Sequence, residues 1–174
     1  MKPSAEMTVG PFFPPEFARG ADKLALAGSR AIEVTGRVTQ ADGKPLDNLV
    51  LELWQADARG IYSDPADPRF GEADPQFYGW GRTATDADGH YCFRTIMPGA
   101  RDGRAPHLNL LLLFSGLVRQ LHTAMFFADS PKDPVFASVP AARRALLVAK
   151  EESPGRYRFD IRLRGENETP FFDD

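Results

Sequence analysis

Cysteine is nearly absent from this sequence. The single Cys92 cannot form a disulfide within the chain, so a secreted scaffold held by intramolecular bridges is excluded. A reducing compartment fits this composition, and we expect the protein to be cytoplasmic. Residues 1–6 lack the apolar region of a secretory signal, and no run of about 18 uncharged apolar residues occurs. The sequence therefore predicts neither export nor a membrane span.

An excess of charge of one sign is also missing. The 174 residues include 21 Lys+Arg and 24 Asp+Glu, for a formal net charge of −3. This balance predicts no broad basic surface of the kind that binds nucleic acid or anionic membranes. With 43% hydrophobic residues the composition is that of a globular protein. We expect one domain over 1–174, since domains usually contain roughly 100–200 residues.

Several familiar catalytic motifs do not occur. There is no G-x-x-x-x-G-K-[ST] and no G-x-G-x-x-G between a strand and a helix, which argues against phosphate-bearing nucleotides as ligands. Ser115-Gly116 is only a fragment of the G-x-S-x-G nucleophile elbow and is better interpreted as a turn between strands. Cys92 lies within a predicted strand, where a buried cysteine is usually a small apolar filler rather than a nucleophile.

Short β-type segments separated by turn residues run through the chain. Their spacing predicts a mainly β fold, an antiparallel β-sandwich with long loops and at most short helices. The turn Asp86-Ala87-Asp88-Gly89 predicts a hairpin between two of the strands, with Gly89 at a positive φ. The predicted strands are 32–39, 49–54, 81–85, 90–96, 107–114, 120–127 and 156–164.

The segments between and before these strands are predicted to form a helix, a long loop and an N-terminal arm. Pro140–Leu147 is the segment that favours a helix, with Pro140 in its first turn. The long stretch between Trp54 and Gly79 is expected to be functional or interfacial. Residues 1–30 are predicted to form an extended N-terminal arm, because Thr8-Val9-Gly10-Pro11-Phe12-Phe13-Pro14-Pro15 contains three prolines and cannot be a helix.

The chain has three histidines, His90, His107 and His122. If 120–127 folds back on 107–114, His122 falls opposite Leu112, on the face of the sheet opposite to that of His107. His90 follows a turn and is expected at the surface. On this register His107 and His122 cannot share a metal ion.

Separated motifs that follow one another in the right order resemble the intradiol ring-cleavage dioxygenases. The resemblance spans nearly the whole chain, and several motifs in order are more specific than one. They are Thr8-Val9-Gly10-Pro11-Phe12, Leu53-Trp54-Gln55-Ala56-Asp57, Gly60-Ile61-Tyr62, Gly81-Arg82-Thr83, the run from Asp88 to Gly99, Arg104-Ala105-Pro106-His107-Leu108-Asn109, and the run from Phe159 to Asp173.

The resemblance implies an iron site that this chain has lost. Catalytic members of the family hold a non-haem ferric ion with two tyrosines and two histidines, and phenolate oxygens suit Fe(III). Tyr62 and His107 match one ligand position of each type, but Ala100 and Asn109 stand at the other two. We therefore expect no metal ligand and no catalytic residue here. Tyr62 and His107 are expected to pack and form hydrogen bonds, and Arg104 to stabilise a loop.

The resemblance also implies that two chains share the activity. We expect an α–β hetero-oligomer in which an iron-bearing β chain holds Fe(III) and this chain is the iron-free α subunit, inactive alone. The substrate would be a dihydroxybenzoate whose ring is opened by O₂ between the two hydroxyl-bearing carbons. By matching positions, Thr8, Gly10 and Pro11 contact the substrate. Related α chains often carry an arginine where this chain has Ala124. No residue of this chain is therefore assigned to neutralise the substrate carboxylate.

Two further interpretations remain open at this point. One is a self-sufficient metal-dependent oxygenase that uses Tyr62, His107 and unidentified carboxylates as ligands. The other is a non-enzymatic β-sandwich that binds a ligand or mediates adhesion. Stoichiometric ferric iron in the lone chain would support the first, and a stable monomer that gives no dioxygenase activity with an iron-bearing relative would support the second.

Overall fold

A computed structural model describes residues 22–23, 31–115, 117 and 120–173. Thr8, Gly10 and Pro11, and most of the predicted N-terminal arm, lie outside the described residues. Within the described part, two β-sheets pack face to face and helices are short, which confirms the predicted β-sandwich. No helix among these residues is long and apolar enough to cross a membrane.

The strands and helices alternate with long connections. The strands are β1 Asp22–Lys23, β2 Ala31–Thr39, β3 Val50–Trp54, β4 Trp80–Ala84, β5 His90–Ile96, β6 His107–Leu113, β7 Leu121–Phe126, β8 Lys150–Ser153, β9 Arg156–Arg158 and β10 Ile161–Arg162. The helix α1 spans Pro134–Ser138, and 3-10 helices span Phe70–Glu72 and Ala141–Leu147.

The two sheets differ in how their strands pair. The first has the order β1-β4-β3-β6-β7 and is antiparallel throughout. In the second, β2 pairs antiparallel with β5 but parallel with β9 and β10, and β8 pairs antiparallel with β9. The sandwich is therefore mainly antiparallel, with two short parallel pairings that the sequence did not predict.

The main core lies between the sheets and follows the period of two expected of half-buried strands. Leu49, Leu51 and Leu53 in and before β3 face the same interior as Leu108, Leu110 and Leu112 of β6, and all six are at most 1% exposed. The opposite sheet contributes apolar side chains from β2, β5, β9–β10 and their connections, namely Ile32, Val34, Val38, Tyr91, Phe93, Phe159 and Ile161.

A smaller apolar cluster covers part of the outer face of the first sheet. Ala124 and Phe126 of β7 pack there against Phe136 of α1 and Leu147 of the second 3-10 helix. The rings of Phe126 and Phe136 meet edge to face with centroids 5.0 Å apart, a favourable aromatic geometry. Because α1 covers only one end of this face, the rest of the face retains the side chains that form the candidate site.

The turn predicted at Asp86–Gly89 is confirmed, but the predicted pairing of the two strands that it joins is wrong. Asp86 N–H donates to His90 O at 3.0 Å, and Gly89 has φ +78°. The strands it joins, however, belong to different sheets, since β4 pairs with β3 and β5 pairs with β2. The turn is a local feature, whereas the pairing of β5 with β2 joins segments that are distant in sequence.

Other expectations need correction. The predicted strand 156–164 is two short strands, each parallel to β2. The helix expected at Pro140–Leu147 is a 3-10 helix over Ala141–Leu147, and the true α-helix lies just before it at Pro134–Ser138. Cys92 is exposed rather than an apolar filler, because β5 turns Tyr91 and Phe93 inward and Cys92 outward.

Candidate functional site

The long segment between β3 and β4 is organised by the buried carboxylate of Asp57. Its Oδ1 accepts hydrogen bonds from the backbone N–H groups of Arg59 at 2.8 Å and Ile61 at 3.0 Å. Its Oδ2 accepts a longer one, 3.3 Å, from Asp74 N–H. One carboxylate thus satisfies three backbone donors of a segment that has almost no regular structure, which keeps this loop ordered.

A second buried carboxylate, Asp67, positions Tyr62. It accepts hydrogen bonds from the backbone N–H groups of Tyr62 at 3.0 Å and Arg69 at 2.9 Å. The Arg101 guanidinium also forms an ion pair with it. These hydrogen bonds, that from Tyr62 first, lower the pKa of Asp67 from 3.8 to about 2. Asp67 is therefore a carboxylate at neutral pH and holds the backbone of Tyr62 in place.

The phenol of Tyr62 is bound to the amide of Asn109. Asn109 Nδ2 donates a hydrogen bond to Tyr62 Oη at 2.9 Å. The Arg101 guanidinium carbon lies 5.1 Å from the centre of the Tyr62 ring, within cation–π range. Burial raises the pKa of Tyr62 despite the amide and the nearby cations. At neutral pH the side chain is a phenol, not a phenolate.

His107 lies two residues before Asn109 on β6 and is buried. Its Nδ1 lies 2.7 Å from Ala105 O, and since a carbonyl can only accept, Nδ1 carries the proton. The ring packs against Phe126 with centroids 5.7 Å apart. Burial lowers the pKa of His107, so the imidazole is neutral at physiological pH.

Arg104 ties the loop before β6 to helix α1. Its Nε donates to Asp133 Oδ2 at 2.8 Å, and Ala105 N–H donates to the same oxygen at 2.9 Å. Asp133 Oδ1 caps the helix by accepting from Val135 N–H and Phe136 N–H. Burial alone would raise the pKa of Asp133, but the hydrogen bonds from Phe136 and Arg104 outweigh it and lower the pKa. Arg104 thus stabilises a loop, as expected from the sequence.

The backbone around Ala100 packs closely against that around Gly60, and glycines at positions 60 and 99 make this close approach possible. A Cβ on Gly60 would overlap with the carbonyl of Ala100, and one on Gly99 would lie 2.5 Å from Gly60 N. Gly99 N–H also donates to Asp57 O at 2.8 Å. The fold therefore brings together Tyr62, His107 and Asn109, three of the four positions that the resemblance singled out, and places the backbone of the fourth, Ala100, against Gly60. Ala100 and Asn109 carry no strong metal donor.

The histidine register differs from the prediction. His122 pairs with Leu111, not Leu112, and so shares a face with His107. His107 and His122 still lie four residues apart along the ladder, roughly 13 Å at about 3.3 Å per residue, which is too far for a shared ion. Among the described residues, no group of three or more His, Cys, Asp or Glu side chains could hold a metal ion.

Sequence reasoning did not identify the carboxylates that build this site. Asp67 and Asp133 resemble the other loop acids of the chain, which mostly form turns. Asp133-Pro134 did carry a usable signal, because an aspartate at the N-cap followed by proline in the first turn is typical of a helix start. Nothing comparable marks Asp67, whose burial depends on Arg101 from a distant loop.

The fold, the site and the similarity to known sequences together define the class of this protein. The sequence model of a family described as Dioxygenase matches residues 18–165. The chain belongs to the intradiol ring-cleavage dioxygenase family. Members of this family are oxidoreductases that use a non-haem ferric ion.

Among known relatives, the protocatechuate 3,4-dioxygenase alpha chain of Burkholderia cepacia is 36% identical, over 99% of this chain and 98% of its own length. The beta chain of the same enzyme from that organism is 39% identical over 80% of this chain, which spans 66% of the beta chain. The dioxygenase domain of a carbohydrate-binding fusion protein from Streptomyces sp. SirexAA-E superposes with a TM-score of 0.61 and 26% identity, covering 94% of this chain and 99% of that domain.

Proposed function

We propose that this chain is the iron-free alpha subunit of a protocatechuate 3,4-dioxygenase. The assembled enzyme uses O₂ to cleave 3,4-dihydroxybenzoate between its hydroxyl-bearing carbons, giving 3-carboxy-cis,cis-muconate. Similarity to both the alpha and the beta chain of one enzyme supports an alpha–beta assembly. In this proposal a partner beta chain holds the ferric ion, and the assembly is cytoplasmic.

The hydrogen bond between Asn109 and Tyr62 is the observation that carries the iron-free role. A ferric ion needs electron-donating oxygen or nitrogen ligands. Here an amide N–H group points at the phenolic oxygen, 2.9 Å away, so the positively polarised end of a dipole lies where a cation would bind. Ala100 provides only a methyl group. The residues present do not fit a ferric ion.

The charged side chains around the site are already paired with one another. Asp67 is paired with Arg101, Asp133 is paired with Arg104, and the imidazole of His107 is neutral. A site that held a trivalent cation would need uncompensated anionic ligands. This arrangement therefore supports a chain that does not itself hold the ferric ion.

The proposal assigns the substrate contacts of this chain to Thr8, Gly10 and Pro11. A glycine next to a proline has no Cβ that would hinder close approach to a flat ring, and a threonine hydroxyl can donate a hydrogen bond to a carboxylate. These three residues match the positions at which the alpha chains that this chain resembles line the substrate pocket. That match is the support for the assignment.

Metal and activity assays on the chain with and without its partner test the proposal. The chain is expressed alone and together with a candidate iron-bearing beta chain, such as the product of a neighbouring reading frame. We expect iron and protocatechuate-dependent O₂ uptake in the complex and neither in the lone chain. Stoichiometric iron in the lone chain, or ring cleavage by it, would contradict the proposal.

A further inference from the structure

Three Asp-Gly pairs occur in the chain, at Asp42-Gly43, Asp88-Gly89 and Asp102-Gly103. Such pairs share one spontaneous reaction, in which the glycine nitrogen attacks the side-chain carboxyl carbon of the aspartate before it. Glycine has no Cβ to hinder this approach. All three aspartates are exposed, so exposure does not separate them, whereas the surroundings of the three glycines differ.

Backbone hydrogen bonds protect two of the glycines. Gly43 N–H donates to Gln40 O at 3.1 Å, and Gly89 N–H donates to Asp86 O at 2.8 Å. Such a hydrogen bond disfavours loss of the amide proton, which the attack requires. Gly89 is also closely packed, since a Cβ there would lie 2.6 Å from Val38 O. The turn at Gly89 therefore has little room to rearrange.

The turn at Asp102-Gly103 lacks both forms of protection. Gly103 N–H donates no hydrogen bond to any residue that the structure describes, and an added Cβ would meet nothing within 4 Å. The Asp102 side chain is 71% exposed, so its ion pair with Arg101 at 3.0 Å is a weak restraint. Asp102 also adopts φ +44°, which is uncommon for a residue with a side chain. The nitrogen and the carboxyl carbon that must meet are thus accessible and loosely held.

We propose that Asp102 is the residue of this chain at which isoaspartate forms, through a succinimide. Gly103 N attacks Asp102 Cγ, the amide nitrogen loses its proton, and one carboxyl oxygen leaves as water, which closes a cyclic imide. Water then adds to either carbonyl of the imide and opens the ring, giving aspartate again or a linkage through Cβ and Cγ. The water lost in the first step is regained in the second, so the reaction is an isomerisation and needs no metal or oxidant.

This modification acts on a turn that holds two arginines. Asp102 lies in a two-residue turn closed by Arg101 N–H to Arg104 O at 3.1 Å and by Arg104 N–H to Arg101 O at 2.6 Å. The isoaspartyl linkage adds one methylene to the backbone of this turn, so the two hydrogen bonds cannot both keep their geometry. Since Arg101 pairs with Asp67 and Arg104 pairs with Asp133, isomerisation should loosen both ion pairs and lower the thermal midpoint.

Incubation of the purified chain at neutral pH and physiological temperature tests the proposal. Peptide mapping with electron-transfer fragmentation distinguishes isoaspartate from aspartate of the same mass, and labelling by a protein isoaspartyl methyltransferase gives the total. We expect isoaspartate to accumulate several-fold faster at Asp102 than at Asp42 or Asp88. Equal accumulation at the three pairs, faster accumulation at another pair, or no isoaspartate at Asp102 would overturn the proposal.

The same chain unfolded in guanidinium chloride is the control for the role of the structure. There the three rates should come close together, because the hydrogen bonds of Gly43 and Gly89 are lost. If the preference for Asp102 persisted undiminished in the unfolded chain, local sequence rather than the fold would be its cause, and the structural argument would be wrong.

Two variants connect the modification to stability. Asp102→Glu lengthens the side chain by one methylene, which makes ring closure much slower, so its thermal midpoint should stay constant while that of the wild type falls on incubation. Asp88→Glu is the matched control and should age like the wild type. An equal fall in Asp102→Glu would show that isomerisation at this turn does not loosen the fold. The proposed function does not involve this reaction and is judged separately, by iron and turnover in the complex.

Discussion

Asn109 Nδ2 lies 2.9 Å from Tyr62 Oη and donates a hydrogen bond to it. These two side chains come from different parts of the fold, β6 and the long loop after β3, and they stand at two positions where the resembling catalytic chains have metal ligands. Here they bind each other. The phenol of Tyr62 therefore has a hydrogen-bond partner within the chain.

Restoring the two missing donors should restore iron binding. Because the fold places the backbone of position 100 against Gly60, two residues before Tyr62, and keeps 107 and 109 on one strand, the double variant Ala100→Tyr with Asn109→His supplies two phenol and two imidazole donors. We expect it to bind ferric iron and to absorb visible light through phenolate-to-iron charge transfer, as measured by metal analysis and absorption spectroscopy.

The control for this variant removes the remaining tyrosine. Adding Tyr62→Phe to the double variant deletes one phenolate and should weaken the visible band strongly without changing the fold. A double variant that folds normally yet binds no iron would show that the site has diverged further than its ligand residues.

Asp67→Asn should destabilise the protein at neutral pH by about 1–3 kcal/mol, the usual cost of losing charge-assisted hydrogen bonds in a buried place. The folded-state pKa of Asp67 is about 2, below its ordinary value of 3.8. The stabilisation is therefore present above pH 3.8 and is lost as pH falls toward 2. In urea unfolding, the gap between wild type and variant should be full at pH 7 and close over that acidic range.

Asp64→Asn is the matched control for Asp67→Asn. Asp64 is exposed and hydrogen-bonds mainly to the nearby Ala66 N–H, so its loss should change the free energy of unfolding little. If Asp67→Asn were equally harmless at pH 7, the network from Asp67 to Tyr62 and Arg101 would contribute nothing to stability.

The strands of this fold could be predicted from the sequence, because buried and exposed side chains alternate along them. His107–Leu113 is an example, where Leu108, Leu110 and Leu112 are inward. Pairing was less readable. The turn at Asp86–Gly89 has the local chemistry of a hairpin, but the partner of the strand that follows depends on contacts with residues more than fifty positions away.

The site was readable only in part, for related reasons. Resemblance placed Tyr62, His107 and Asn109 together, and the fold agrees. The register of His122 was wrong by one residue, because the length of the turn before β7 cannot be deduced from strand periodicity. Asp67 and Asp133 were not identified as site residues, because a buried carboxylate and a surface carboxylate look the same in sequence until their cationic partners, Arg101 and Arg104, are known.

Asp133→Asn should reduce the free energy of unfolding by about 3 kcal/mol, the scale of breaking a buried ion pair. The change removes the charge that Arg104 pairs with and weakens the cap of α1. Asp129→Asn, at an exposed position of the same loop, is the control and should have almost no effect. Urea unfolding monitored by circular dichroism measures both, and equal stabilities would show that the Arg104–Asp133 pair adds nothing.

Gly36→Ala should be among the most disruptive single-methyl changes in the chain. A Cβ at position 36 would overlap with the carbonyl oxygen of Phe159 and lie 2.7 Å from Tyr91 Oη, where the tyrosine donates to the same carbonyl. We expect a loss of about 1–3 kcal/mol, as for overpacked cores. Gly71→Ala, where an added Cβ has nothing within 4 Å, should leave the thermal midpoint nearly unchanged. A harmless Gly36→Ala would mean that the backbone at Phe159 can move away from β2, within the second sheet, at low cost.

Thr8→Ala should raise KM for protocatechuate in the assembled enzyme while leaving kcat close to that of the wild type. On the proposed function the Thr8 hydroxyl donates to the substrate carboxylate, and losing a hydrogen bond to a charged group corresponds to about a tenfold weaker interaction or more. Thr8→Ser keeps the hydroxyl and should retain the wild-type KM, which separates a hydrogen bond from mere packing of the threonine methyl. Steady-state O₂ uptake with the purified complex provides both constants. An unchanged KM in Thr8→Ala would remove Thr8 from the substrate pocket, whereas an equal rise in both variants would point to packing alone.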